Sequence, residues 1–170
     1  PKGLLGYTAT AEAALPAAQQ HPLGGIAEIP SGAAATITTT GLLDLVYALP
    51  SERNANASFY MNRSSQGVCR KLTDGDGNFI WQPPFQLGEP ATLLGHGQRE
   101  LLGMPDIAAN AFPVGFGDMS RTYTIFDRVG IRVLRDPYTN KPNVQFYSTK
   151  RVGGGLWNPE FFKFQKISVS

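Results

Sequence analysis

Arg128-Val129-Gly130-Ile131-Arg132-Val133-Leu134, followed by Arg135-Asp136-Pro137-Tyr138-Thr139-Asn140-Lys141-Pro142 and then by Asn143 to Arg151, is the stretch that decides the fold class. Val129, Ile131 and Val133 alternate with Arg128, Gly130 and Arg132. A period of two gives a strand with one apolar and one basic face. The Asp-, Pro- and Asn-rich segment reads as a turn, so two strands joined by it predict an antiparallel hairpin. Tyr123 to Phe126 is a shorter strand candidate just before it. After Arg151 come Gly153-Gly154-Gly155, where the backbone crosses or bulges because side chains would clash. A final aromatic strand is expected around Phe161 to Ile167.

Upstream, the signals change. From Thr8 to Ile37, Pro16, Pro22, Gly24, Gly25 and Pro30 interrupt every period, so loop and irregular pieces are expected. Leu42, Leu45, Val46 and Leu49 then fall at i, i+3, i+4 and i+7, one face of a helix ended by Pro50. Thr39 or Thr40 is its expected N-cap. Ala57 to Met61 reads as a short strand, and Asn62 caps a second helix over Arg63 to Leu72 that turns Val68, Leu72 and Cys69 inward. Thr73 to Asn78 is a turn, Phe79 to Gln82 is extended, and a Gly- and Pro-punctuated stretch continues to about Pro113. Helices with strands first and strands alone at the end make the chain α+β.

The 170 residues suit one ordinary domain or two small lobes, and only 16% of them are charged. That is low beside the roughly 25% of soluble domains, and suits a surface that neighbours cover. A formal charge of +2 gives no bulk argument for binding nucleic acid. No apolar run approaches the ~18 residues needed to cross a membrane. The single Cys69 cannot close an internal disulfide, and cytoplasmic synthesis is the simplest expectation. The opening Pro1-Lys2-Gly3-Leu4-Leu5-Gly6 reads as the continuation of something longer.

Chemistry is sought and not found in the pattern. His21 and His96 sit beside Pro or Gly and cannot assemble a metal set with one distant Cys. Asp74-Gly75-Asp76-Gly77-Asn78 fails as a calcium loop, because Phe79 and Phe85 stand where Gly and a bidentate Glu are required. Gly153-Gly154-Gly155 precedes Leu156-Trp157-Asn158-Pro159 rather than the Lys and Ser or Thr of a P-loop. Ser58, Ser64, Ser65 and Ser120 have no base partner by motif. No catalytic residue, cofactor or metal ligand is therefore expected. Arg128 and Arg132 are expected to pair with acidic groups of a neighbouring strand or subunit rather than with nucleic acid.

The run Phe116-Gly117-Asp118-Met119-Ser120-Arg121-Thr122-Tyr123-Thr124-Ile125-Phe126-Asp127-Arg128, continuing through the hairpin to Gly155, resembles the tailed-phage major capsid family, whose shell fold is named for phage Hong Kong ninety-seven. Met104-Pro105-Asp106-Ile107-Ala108-Ala109-Asn110, Tyr60-Met61-Asn62-Arg63, Leu72 to Pro84 and Pro1 to Leu5 match the same family in order. Members occur in phages, prophages and gene-transfer particles. The resemblance implies a structural, self-assembling virion subunit. Residues 1–7 would connect from the peripheral lobe and 8–124 would form the axial lobe, a mixed sheet with flanking helices. Residues 125–170 would be the C-terminal antiparallel strands of the peripheral lobe, with the spine helix and extended loop absent. Partners would be further copies in pentamers and hexamers around DNA that is enclosed without specific recognition, with a scaffold and head protease and no membrane. Arg128, Arg132, Arg135 and Tyr138 are the expected subunit contacts. The family's Lys-to-Asn cross-link would use an acceptor near Asn143, but Thr149 or Lys150 stands where the assisting Glu belongs, so no cross-linking is expected. An encapsulin-type compartment is the alternative of the same fold. A small hydrolase or ligand-binding domain, built on His96 near Asp106 or Glu100, is the alternative of another class.

Overall fold

A computed structural model describes residues 3–73, 76–79 and 92–169 of the chain. In chain order the regular elements are α1 (Ala9–Ala13), β1 (Ala27–Pro30), α2 (Thr39–Tyr47), β2 (Ser58–Met61), α3 (Arg63–Arg70), β3 (Thr92–Leu93), β4 (His96–Glu100), β5 (Val114–Gly117), α4 (Met119–Thr122), β6 (Tyr123–Asp136), β7 (Gln145–Leu156) and β8 (Phe162–Lys166). The fold is α+β, with helices flanking one mixed sheet and a separate hairpin.

The mixed sheet runs β1-β8-β5-β2-β4-β3. β8 pairs parallel with β1 and antiparallel with β5, and β2 pairs antiparallel with β5 and parallel with β4. Pro30 is accommodated because β1 is an edge, where a missing N–H breaks no ladder. On one face, Leu42, Leu45 and Leu49 with Ile37 pack onto Phe59, Met61, Val114, Phe116 and Ile167. On the other, Phe162 and Phe164 pack with Ile26, Met104 and Leu156. Each of those buried large side chains contributes about 1.5–3 kcal/mol by leaving water.

The helix expectations hold in register. α2 buries Leu42 and Leu45, while its cap is Thr38 rather than Thr39 or Thr40: the Thr38 hydroxyl accepts from Gly41 N–H at 3.1 Å. Asn62 caps α3 by accepting from Ser65 N–H at 2.7 Å. The inward face of α3 is Ser65 and Cys69, with Val68 and Leu72 only half-buried.

Three expectations change. The stretch Thr8 to Ile37 contains α1 and β1, both too short to show a period. The punctuated stretch before Pro113 contains β3 and β4, whose His96-Gly97-Gln98-Arg99-Glu100 has no apolar alternation to reveal it. The two strands expected between Tyr123 and Leu134 are one strand, Tyr123–Asp136, of 14 residues, since register shifts at Asp127/Val129 and Val129/Arg132 let it bend without ending. Phe79 forms a bridge to Thr73, while the expected extended segment at 80–82 lies outside the described residues.

The last strand leaves the hairpin altogether. β6 and β7 form their own two-stranded sheet, whereas β8 lies inside the six-stranded one between β1 and β5. Residues 125–170 thus divide between two sheets. The triple glycine is not a crossing after β7 but part of it, Gly153, Gly154 and Gly155 pairing with Phe126, Ile125 and Thr124. Tyr123 explains the middle one: a Cβ on Gly154 would stand 2.9 Å from the Tyr123 Cζ and collide with its hydroxyl.

Candidate subunit interface

The hairpin β6–β7 projects side chains that no other described residue covers. Ile131 is 71% exposed and Tyr138 79%, and Ile125, Phe126, Val133, Leu134, Phe146 and Tyr147 are also exposed. Alternation predicts one apolar and one basic face, but with a two-stranded sheet and no layer on either side among the described residues, side chains of both faces are exposed. Exposed apolar side chains gathered on one element make the hairpin a candidate interaction surface.

Charge is unevenly placed. Residues 123–156 hold six basic and two acidic side chains, a formal +4, so the remainder of the chain carries −2 of the total +2. Of the two acids, Asp127 takes Lys150 Nζ at 2.8 Å. Asp136 is committed to the turn, accepting from Tyr138 N–H at 2.9 Å, Thr139 N–H at 3.2 Å and the Thr139 hydroxyl. The Thr139 hydroxyl and Tyr138 amide hold the Asp136 carboxyl below its usual value.

Arg128, Arg132 and Arg135 are all exposed, and none has an ion pair among the described residues. The expected acidic partner on the neighbouring strand is not there. β7 sets Thr149 opposite Arg132 and Phe146 opposite Arg135. What the structure adds is Lys150 and Arg151. The register shift brings Arg151 opposite Val129, and Val129, Arg132, Thr149, Lys150 and Arg151 line a cleft of about 470 Å³. Arg128 joins Lys150 and Arg151 along a second cleft of about 520 Å³. Tyr138 stands apart at the turn. No sequence signal gives this clustering, because bulges decide which cations face one another. Arginines interleaved with aromatic and aliphatic groups on an open surface suit contact with another protein.

The other candidates are structural. The His96 ring lies 5.0 Å from the Phe116 ring and 6.4 Å from the Phe59 ring. Asp106 accepts from Asn62 Nδ2 at 2.7 Å. No hydrogen bond or ion pair among the described residues joins His96 to Asp106 or Glu100. His21 Nδ1 accepts from Leu23 N–H at 3.2 Å. Burial pushes the Cys69 thiol up to about 12, which keeps it protonated and inert. Ser65 is buried on the inward face of α3 and Ser120 donates its hydroxyl to Asp118 at 2.6 Å. Among the described residues no group of three or more His, Cys, Asp or Glu is placed to hold a metal. No described helix is long and apolar enough to cross a membrane.

No curated protein matches the chain. Solved structures do. It is similar to the capsid of an empty GTA particle computed with C5 symmetry, at 41% identity and a TM-score of 0.82, over 99% of this chain and 56% of that one. The capsid of a native GTA particle, also computed with C5 symmetry, matches at the same 41% identity and 0.82. A structure from Mycobacterium phage Patience matches at 15% identity and a TM-score of 0.56, over 84% of this chain and 45% of that one, which speaks for the fold alone. The chain thus spans 56% of the length of the GTA capsid chains it matches. The family model described as the phage capsid family matches residues 1–167, and with the fold, the open cationic hairpin and the GTA capsid likeness it places this chain in the phage capsid family.

Proposed function

We propose that the chain is the greater part of a head-shell subunit, structural rather than catalytic, that self-associates into pentamers and hexamers and closes around DNA. The observation that carries this reading is the hairpin that no other described residue covers, with exposed apolar side chains and with Arg128, Arg132 and Arg135 free of ion pairs among the described residues. A monomer gains nothing from such a surface, whereas a ring of identical copies covers it by symmetry. The C5 symmetry of the two GTA capsid structures supports self-association. In this reading the six-stranded sheet with α1–α3 is the axial lobe, and residues 1–7 and the hairpin belong to the peripheral lobe. The spine helix of the longer polypeptide would cover one face of the hairpin. Arg128, Arg132, Arg135 and Tyr138 are the contact residues towards neighbouring copies, and the DNA inside is held without recognition of sequence. A scaffold and a head protease would act during assembly in the cytoplasm, and the product would be the virion shell.

Electron microscopy of the full-length protein, expressed alone or with its scaffold and protease, tests this. Closed icosahedral shells are expected, and denaturing gels of those shells should give a single monomer band, since the strand that holds Thr149 and Lys150 has no carboxylate to assist a cross-link. Folded monomers alone, under every assembly condition, would sink the reading.

A further inference from the structure

At the root of the hairpin lies a cleft of about 720 Å³ that the interface just described does not use. Its walls come from three places: Asn56, Ser58 and Tyr60 on and before β2, Arg99 on β4, and Asp118 to Ser120 with Tyr123 where β5 passes into β6. The parallel register of β2 and β4 sets Tyr60 beside Arg99. Phe162 backs the Tyr60 ring at 5.7 Å, which fixes it in place. Burial pushes the Tyr60 phenol up, with Arg99 pulling the other way, so at neutral pH it is a neutral donor.

The charges in the cleft are not equivalent. Asp118 is already engaged: it accepts from Ser120 N–H at 3.0 Å and from the Ser120 hydroxyl at 2.6 Å, and lies 3.7 Å from Arg121. Arg99 is exposed and has no ion pair among the described residues. Glu100, next along β4, points to the opposite face of the sheet and cannot neutralise it.

We propose that this cleft receives one acidic side chain of a second copy, with Arg99 as the recognising cation and the Tyr60 hydroxyl as a second donor. The proposal rests on the shell reading above and adds a contact to it. A carboxylate fits better than a nucleic-acid backbone, because one arginine beside an aspartate leaves the cleft near neutral and phosphate chains are held by several cations together. The complementary surface is present on the same chain. The part outside the hairpin carries a formal −2. Its exposed Asp44, Glu52 and Glu100 have no ion pair among the described residues.

The experiment places a photoreactive side chain at Asn56 in the full-length protein. Particles are assembled from an equal mixture of nitrogen-15 and unlabelled copies, irradiated and digested for mass spectrometry. The expected result is a cross-linked peptide pair of mixed isotope whose second peptide carries Asp or Glu within a few residues of the link. Arg99→Gln should lower its yield about tenfold, the scale of a lost charged hydrogen bond, with Arg99→Lys retaining part of it and Arg63→Gln on α3 leaving it unchanged. Cross-links confined to one copy, links to DNA, or a yield indifferent to Arg99→Gln each overturn the proposal. Failure of the wild-type protein to form particles is a separate outcome, which overturns the shell reading and this contact with it.

Discussion

Gly117 has a φ of +147°, and a Cβ there would stand 2.7 Å from the Phe162 Cα and collide with the Phe161 carbonyl oxygen. The same carbonyl accepts from Asp118 N–H at 2.9 Å, so the backbone passes this close in order to tie β5 to the start of β8. Gly117→Ala is therefore expected to cost roughly 2–4 kcal/mol, from overpacking added to an unfavourable backbone angle, visible as a large drop in thermal midpoint. Gly130→Ala, where a Cβ meets open space, should change the midpoint little. Glu28 makes a second residue-scale prediction. Burial opposes its ionisation, but Thr10 N–H and the Thr10 hydroxyl, each at 2.7 Å, and Lys166 at 3.3 Å outweigh it and hold its carboxyl below the ordinary value of 4.5. A carboxyl lowered on folding stabilises the fold above its unfolded value, and that stability is lost as pH falls below 4.5 through the folded value. Glu28→Gln should lower stability at pH 7 and flatten the dependence below 4.5, as followed by urea unfolding across pH.

The two longer helices are where sequence and structure agree most closely, and the reason is length. α2 and α3 are nine and eight residues, enough for side chains to recur on one face and for a cap residue to stand out. Asn62 does more than cap α3, because its Oδ1 accepts from Ser65 N–H while its Nδ2 donates to Asp106 and to the Met104 carbonyl. Asn62→Ala should cost about 1–2 kcal/mol, the upper part of the range for a lost cap, whereas Asn62→Asp keeps the cap but repels Asp106. Chemical denaturation of the three proteins checks the order. The elements that escaped the sequence are short ones that depend on their neighbours. β3 is two residues, and β4 is a polar run whose strand character comes from pairing with β2 rather than from its own pattern. The hairpin was legible from its alternation. Its continuity through Gly153–Gly155 was not: at Gly154 the closeness that requires glycine is made by Tyr123, distant in sequence and adjacent only once the strands pair.

Over the whole molecule, the surroundings of the proposed contact residues were half legible. Arg128, Arg132 and Arg135 stand out by alternation, but the missing acids opposite them, and the approach of Lys150 and Arg151, depend on register. The consequence is a molecule of two unequal parts. The six-stranded sheet has a core on each face, whereas the hairpin is a lone pair of strands, which is marginal in water without a layer to pack on. Local stability follows buried contacts rather than hydrogen-bond count, so the two parts should open independently. In hydrogen exchange of this 170-residue chain, amides of β5 and β8 should be the slowest, and those of β6 and β7 from Arg128 to Arg151 should exchange far faster although they are paired. Light scattering on the same sample should report a monomer or weak oligomer, since in the proposed shell reading the spine helix of the longer polypeptide supplies the layer that completes the hairpin. A stable pentamer or hexamer would refute that dependence. In assembled full-length particles the same hairpin amides should become protected while β5 and β8 hardly change. If they remain fast there, the apolar hairpin is not an interface, and the contacts that hold the shell must be sought on the axial sheet.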